Sequence, residues 1–126
     1  MSPPNELTDA ELSVMEILWD KEDGATVREI VMNMYGRHEH SLHGGVKSFL
    51  DRLMEKGFAA VDKSSFAHRF FALISRQQFV GRQLKQLAES HFGGAVAPML
   101  LSLVEQTNLS NKDRVSIEKI IINIVE

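Results

Sequence analysis

The sequence predicts a mainly α-helical chain in two parts, with a short β-hairpin between them. Two capping-box patterns, Thr8 with Glu11 and Thr26 with Glu29, each introduce an apolar repeat of helical period. A stretch of strand-like character over residues 58–73 interrupts the helices, and a strongly apolar helical tail follows it. We therefore expect three helices, a hairpin, and then three more helices.

The first helix is predicted to begin after Thr8 and to end at Asp23-Gly24, a pair typical of turns. Its apolar residues fall on one helical face, and they are Leu12, Met15, Leu18 and Trp19. The second helix is shorter and runs from Thr26 to Gly36, a residue suited to ending a helix. Its apolar residues are Ile30, Val31 and Met34.

The third helix is predicted over about residues 43–56, and it ends at Lys56-Gly57 with a base in its last turn. Its apolar residues follow the i, i+3, i+4, i+7 pattern, and they are Val46, Phe49, Leu50 and Leu53. Gly44 and Gly45 directly precede this pattern. Interior helical glycines cost about 1 kcal/mol each relative to alanine, and this cost falls in the first turn or before the helix.

Two short strands, 58–63 and 68–73, are predicted to form a hairpin through the loop 64–67. Three helices followed by a hairpin make a winged helix-turn-helix, which we expect to occupy residues 1–74 as a DNA-binding domain.

Residues 75–126 are predicted to form three further helices. The first begins at Ser75, with Gln78 completing its cap, and the Gly93-Gly94 pair ends it. The next spans 95–106, and Ser110 caps the last. This tail is too apolar for one buried face, so it is expected to be a dimerisation domain, with packing on the first lobe as the alternative. The predicted dimer contacts are Leu84, Leu87, Leu100, Leu103, Ile117, Ile120, Ile121 and Ile124.

The charge distribution points to a polyanion although the net charge is −3. Residues 1–25 carry seven acids and one base, whereas residues 26–85 carry ten bases and five acids. A basic middle segment is the footprint expected for nucleic acid. The absence of cysteine excludes disulfides and thiolate metal sites, and no apolar run approaches the roughly 20 residues that span a membrane. With an acidic, polar N-terminus, a cytoplasmic location is expected.

Five segments together resemble the penicillinase-repressor family, which comprises the bacterial β-lactamase, methicillin-resistance and copper-transport repressors. In order, they are LTDAELSVMEILW, ATVREI, VKSFLDRLMEKGF, AHRFFALISRQQF and HFGG, within residues 7 to 110. The resemblance implies a homodimeric winged-helix repressor on a palindromic operator in double-stranded DNA, with its third helix in the major groove. No cofactor is expected, and no catalytic motif predicts an enzyme.

The predicted recognition helix carries polar residues off its apolar face. Lys47 and Ser48, with His43 in support, are expected to contact base edges, and Arg52 to contact a phosphate. Arg28 lies at a helix N-terminus, which attracts phosphate. A solvated surface charge is the alternative reading for each of these residues. The predicted DNA-binding residues are Arg28, His43, Gly44, Gly45, Lys47, Ser48, Arg52, Lys63, His68 and Arg69.

The chain departs from the family pattern at two DNA-facing places. Polar residues, often two threonines, usually stand where this chain has Gly44 and Gly45, and Ser65-Phe66 replaces a frequent Gly-Arg at the wing tip. The family's operator sequence is therefore not expected to apply. These losses favour an alternative function as a winged-helix protein-interaction module, with weak or no sequence-specific DNA binding.

Regulation differs in the same way. In the penicillinase branch a protease cuts an Asn-Phe bond in the fifth helix. That bond aligns with Ser102-Leu103 of this chain, so the resemblance implies a regulatory protease acting there. The residue pair at the aligned bond nevertheless differs from Asn-Phe. The copper branch binds metal through cysteines, which this chain lacks. His38, His40 and His43 carry metal-ligand chemistry, but a polar loop is the expected explanation and no metal site is predicted.

Overall fold

The computed structural model describes residues 7–125, with side chains described as far as residue 123. It confirms the predicted order of three helices, a hairpin and three helices. The elements are α1 (Asp9–Asp20), α2 (Val27–Tyr35), α3 (His43–Glu55), β1 (Ala59–Asp62), β2 (Arg69–Ala72), α4 (Arg76–His91), α5 (Val96–Gln106) and α6 (Asn111–Val125). A 3₁₀ turn, His40–Leu42, leads directly into α3.

Both predicted capping boxes are present. The Thr8 N–H donates to Glu11 Oε1 at 2.9 Å, and the Glu11 N–H donates to Thr8 Oγ1 at 3.2 Å. Thr26 and Glu29 make the same reciprocal pair, and Gly36 closes α2 in the left-handed conformation. Each box satisfies backbone donors that the first helical turn leaves without partners.

The core of the N-terminal part is built by three helices and the hairpin. Eight of its hydrophobic residues have no exposed surface, and they are Val14, Met15, Ala25, Ile30, Val31, Val46, Leu50 and Leu53. The predicted face of α1 is partly wrong. Val14 and Ile17 are buried, whereas Leu12 and Trp19 are only half-buried. Trp19 lies at the rim of the core, where its Nε1–H donates to the Ile74 carbonyl at 2.8 Å.

The hairpin strands pair antiparallel, from Ala59 opposite Ala72 to Asp62 opposite Arg69. Ala25 adds a bridge on the other side of β2, exchanging two 2.8 Å hydrogen bonds with Phe70. This approach requires Gly24, whose φ is +84° and where an added Cβ would lie 3.0 Å from the Phe70 carbonyl oxygen. The bridge thus fixes the base of the wing against the loop between α1 and α2.

The predicted cap at the start of α4 is present. Ser75 and Gln78 exchange two 3.0 Å side-chain to backbone hydrogen bonds. Phe79 packs with its ring centroid 5.7 Å from that of Trp19 and 5.9 Å from that of Phe58. These aromatic contacts attach the first turn of α4 to the N-terminal core.

The described chain divides into two compact units after Val80, within α4. The N-terminal unit holds α1 to β2 and the start of α4, and the C-terminal unit holds the rest of α4 with α5 and α6. Among the described helices, none is by itself both long and apolar enough to cross a bilayer; only α4 and α5, taken together across a bend, meet that criterion.

Candidate nucleic-acid interface

The third helix presents two different faces. Val46, Leu50 and Leu53 are fully buried against α1 and α2, whereas Lys47 and Ser48 are exposed on the opposite side. Asp51 is exposed as well. The spacing of the apolar residues imposes this division, since residues three or four apart share one side of a helix. The exposed face of α3 is therefore a polar strip, formed by Lys47, Ser48 and Asp51, and the buried apolar face of the same helix fixes its position.

Gly44 and Gly45 lie inside the first turn of α3, and both are exposed. A Cβ added to either residue would meet nothing within 4 Å. No packing in the structure therefore explains why glycine stands at these positions. Their effect is to leave the backbone of the first turn uncovered.

The start of α3 has no side-chain cap. Leu42 is the N-cap residue and supplies no side-chain hydrogen bond to the helix. The first backbone N–H groups of a helix carry partial positive charge and are a favourable environment for a phosphate oxygen. In α3 the first of these groups, the His43 N–H, already donates to the His40 carbonyl oxygen of the preceding 3₁₀ turn, and Gly44 and Gly45 carry the next two.

A groove of about 250 Å³ runs between α3 and the hairpin. It brings together three of the predicted DNA-binding residues, namely Lys47 from the helix and Lys63 and His68 from the wing. Asp51 contributes an acid to the same wall. The spatial meeting of these bases is not visible in the sequence, where residues 47 and 68 are far apart.

Arg52 is engaged within the protein. Its Nε donates to Glu11 Oε2 at 3.3 Å, and its Nη1 donates to Ser48 Oγ at 3.0 Å. The guanidinium carbon also lies 5.2 Å from the ring centroid of Phe49, in cation–π range. With 45% of its side chain exposed, Arg52 keeps a surface toward solvent. A phosphate contact by Arg52 remains a prediction.

Glu11 is a buried carboxylate that the sequence identified only as a cap. Its side chain has no exposed surface, and its Oε1 accepts a 2.9 Å hydrogen bond from Lys56 Nζ. Burial alone would raise the pKa of Glu11, but hydrogen bonds from Thr8 and Lys56 together hold that pKa below its ordinary value. The ionised carboxylate thus joins the start of α1 to the end of α3.

Three histidines gather at the start of α3. The Nε2 atoms of His38 and His43 lie 2.7 Å apart, and the ring centroids of His40 and His43 lie 4.8 Å apart. Partial loss of solvation, followed by the positive fields of His40, His38, Lys47 and Arg28, lowers the pKa of His43. Within residues 7–125, no three His, Cys, Asp or Glu side chains have an arrangement that could hold a metal ion.

The other basic residues of the predicted DNA-binding set differ in how far they are engaged within the protein. Arg28 is exposed in the first turn of α2. Arg69 Nη1 lies 3.2 Å from the Gly24 carbonyl oxygen and 3.5 Å from Glu29 Oε1, so it is tied to the base of the wing. Lys63 and His68 are exposed on the hairpin.

Seven of the eight predicted dimer residues have side chains that the structure describes, and all seven are exposed. Leu103 and Ile120 have relative exposures of 58% and 57%. Five other predicted dimer residues have relative exposures between 38% and 49%, and they are Leu84, Leu87, Leu100, Ile117 and Ile121. The side chain of Ile124 lies outside the described part of the chain. Ser102, at the bond aligned with the family's cleavage site, is exposed within α5.

The three-helix core, the paired wing and the exposed polar strip on the third helix define a winged helix-turn-helix protein. A family model described as the penicillinase repressor matches residues 7–123. The chain belongs to the penicillinase repressor family, which confirms the resemblance noted in the sequence, and this membership indicates a transcriptional repressor.

Individual relatives are distant. Transcriptional regulator BlaI of Mycobacterium tuberculosis, strain H37Rv, is 26% identical over 114 residues, which cover 90% of this chain and 82% of the relative. A protein of 16.5 kDa from Latilactobacillus sakei, described as uncharacterized, is 23% identical over 117 residues. That match covers 93% of this chain and 79% of the relative.

Proposed function

We propose that this protein is a sequence-specific DNA-binding repressor that acts as a homodimer on a palindromic operator, with α3 in the major groove. The observation that carries this proposal is the exposed polar strip of α3 next to the basic groove. Lys47, Lys63 and His68 line that groove from both sides. A helix in the major groove with a wing against the neighbouring backbone would use both elements together.

Each residue of the interface has a distinct role in this proposal. Lys47 and Ser48 read base edges, since they are exposed on the face opposite the core. Arg28, Lys63 and His68 contact phosphates, which position the protein without specifying sequence. The bare backbone at Gly44 and Gly45 allows a phosphate to approach the N-terminus of α3 closely.

The exposed apolar side chains of α5 and α6 support the homodimer. Contiguous apolar surface on a soluble chain marks an interface, and a two-fold dimer buries the same patch on both copies. A dimer would also present two recognition helices to two half-sites about one helical turn of DNA apart. The name of the Mycobacterium tuberculosis relative, a transcriptional regulator, agrees with this function.

The experiment compares Lys47→Ala with Arg28→Ala by binding selection from a random duplex library. Lys47→Ala should change the preferred sequence, whereas Arg28→Ala should weaken binding to all sequences by a similar factor. Glu105→Ala, at an exposed position of α5, serves as a control. Binding that shows no sequence preference in any of these proteins would contradict the proposal and favour the protein-interaction alternative.

A further inference from the structure

We propose that Phe66, at the tip of the wing, is a wedge that enters the minor groove of DNA and contacts a base step with its ring. This role rests on the proposed DNA binding and adds to it a contact that no lysine or arginine of the interface supplies. Apolar side chains inserted between base steps are a known means by which proteins unstack and bend DNA.

The exposure of Phe66 is the first observation. Its relative exposure is 105%, whereas Phe58, Phe70 and Phe79 of the same unit are each 8% exposed or less. A single exposed apolar residue is ordinary on protein surfaces, so this contrast needs support from the surroundings. It does show that the phenyl ring contributes nothing to the packing of the core.

The conformation of the loop is the second observation. The Ser64 N–H donates to Asp62 Oδ1 at 2.8 Å, and Ser65 Oγ donates to the Ala67 carbonyl at 3.1 Å. The first bond precedes Phe66 and the second spans it, just beyond the Asp62–Arg69 pair of the hairpin. The ring is therefore presented by a hydrogen-bonded tip, which reduces the entropy lost on binding.

The surrounding charge identifies the partner. Exposed Lys63 and His68 flank the loop, and Lys47 faces them across the groove, whose lining includes one acid, Asp51. Asp62 is the acid of the hairpin, and its carboxylate accepts the hydrogen bond from Ser64. An apolar ring among cations fits a partner that carries negative charge outside and apolar surface inside. DNA is such a partner, because its phosphates surround stacked bases. The same ring fits an apolar protein surface less well, because binding would strip water from those cations without an opposite charge in return.

A wedge would also confer specificity. Pyrimidine–purine steps such as TA unstack easily, whereas A-tracts are stiff. We therefore expect Phe66 to favour sites with a TA step beneath the wing, at a position that the recognition helix does not read.

The experiment uses the full chain and two duplexes of about 30 base pairs, one of alternating A and T and one A-tract of the same composition. Wild type is compared with Phe66→Ala and Phe66→Leu. Ala67→Ser is the matched control at the same tip, since it keeps the backbone carbonyl that accepts the Ser65 hydrogen bond. Dissociation constants are measured by fluorescence anisotropy at several salt concentrations. A 2-aminopurine at one TA step reports unstacking.

Phe66→Ala should weaken binding to the alternating duplex by about tenfold and remove its preference over the A-tract, since stacking on an aromatic ring supplies this scale of energy. Its dependence on salt should equal that of wild type, because no phosphate contact is lost, whereas Lys63→Ala should lower the slope by about 0.9. Phe66→Leu keeps an apolar wedge but has no aromatic ring, so it should keep the preference and the 2-aminopurine signal while binding less tightly than wild type. The unfolding temperature of Phe66→Ala should match that of wild type.

The outcomes separate this role from DNA binding itself. Salt-dependent binding by wild type that is unchanged in Phe66→Ala overturns the wedge and leaves the proposed function standing. A change in self-association instead of DNA affinity assigns the ring to a second copy of the chain, and this also overturns the wedge. Failure of wild type to bind either duplex at low salt, where phosphate contacts alone should give binding, contradicts the proposed function and the wedge together.

Discussion

The two units of this protein differ in how far their apolar side chains are exposed. In the N-terminal unit, Val14, Leu50 and Leu53 have no exposed surface. In the C-terminal unit, Leu101, Leu103 and Ile120 each expose more than half of theirs. Both units consist mainly of amphipathic helices, so helical pattern alone does not explain the contrast. The N-terminal unit adds a hairpin and crossing helices that cover its core.

This contrast shows which part of the molecule completes its fold within one chain. Burying a leucine or isoleucine side chain contributes roughly 1.5–3 kcal/mol relative to leaving it exposed. The N-terminal unit obtains this stabilisation from its own elements. The described C-terminal unit leaves its apolar side chains exposed and does not gain this stabilisation. Under the proposed function, a second copy of the chain would bury them. Substitutions in the N-terminal core should therefore change the free energy of unfolding, whereas substitutions on the exposed apolar residues of the C-terminal unit should change self-association.

The largest effect is expected from Ile120→Glu in α6. A charge on the exposed apolar surface should dissociate the proposed dimer and lower operator affinity by about 100-fold or more, because two linked half-sites bind far more tightly than one. Sedimentation equilibrium and anisotropy measure the two effects. Ser116→Glu, at an exposed polar position of the same helix, should change neither. A monomeric wild type would contradict this prediction.

Leu50→Ala tests the completed core of the N-terminal unit. Removing this fully buried side chain should lower the free energy of unfolding by about 2–5 kcal/mol. Urea unfolding should give the same loss at every protein concentration, since no partner chain is involved. Leu100→Ala, at a 44% exposed position in α5, should instead change the dimer dissociation constant. An unchanged free energy of unfolding in Leu50→Ala would contradict the described packing of the N-terminal core.

Glu11→Gln should cost about 1–3 kcal/mol of stability at pH 7, because hydrogen bonds between charged groups contribute on this scale. The folded-state pKa of Glu11 lies below its ordinary value of 4.5. Its stabilisation is therefore present above about pH 4.5 and is lost as the pH falls through the folded pKa. Thermal unfolding at pH 7 and pH 3 should show the difference from wild type shrinking in acid. Glu16→Gln is the control, since it removes a half-exposed carboxylate of α1 that pairs with Arg76, and exposed ion pairs contribute little to stability.

The smallest effect is expected from Gly44→Ala and Gly45→Ala. Each should raise stability by roughly 0.5–1 kcal/mol, since the positions are helical and an added Cβ meets nothing. Under the proposed function, DNA affinity should fall at the same time, because the methyl group separates the backbone from a phosphate. A variant that gains stability and keeps full affinity would show that the bare backbone has no role in binding.

Most of the fold could be predicted from the sequence because its signals are local. The capping boxes at Thr8 and Thr26 and the cap at Ser75 involve residues three apart, so the chain itself displays them. The hairpin was expected over 58–63 and 68–73, and the strands observed are shorter at each end. Strand ends depend on pairing, which the composition of the run does not encode.

The features that were missed depend on residues distant in the chain. Glu11 was recognised as a cap, but its burial and its ion pairs arise from Arg52 and Lys56, more than forty residues away. The Ala25–Phe70 bridge and the meeting of Lys47 with His68 have the same origin. The predicted face of α1 does not include the buried Val14, because helix packing covers a wider strip of the helix than a single apolar row.

The most direct test of the central proposal is selection of duplexes from a random library by the full chain. We predict enrichment of an inverted repeat whose half-sites are about one helical turn apart, centre to centre, or a multiple of that spacing. Its half-site sequence should change in Lys47→Ala. Recovery of no preferred sequence, at salt low enough for phosphate contacts to form, would contradict the account.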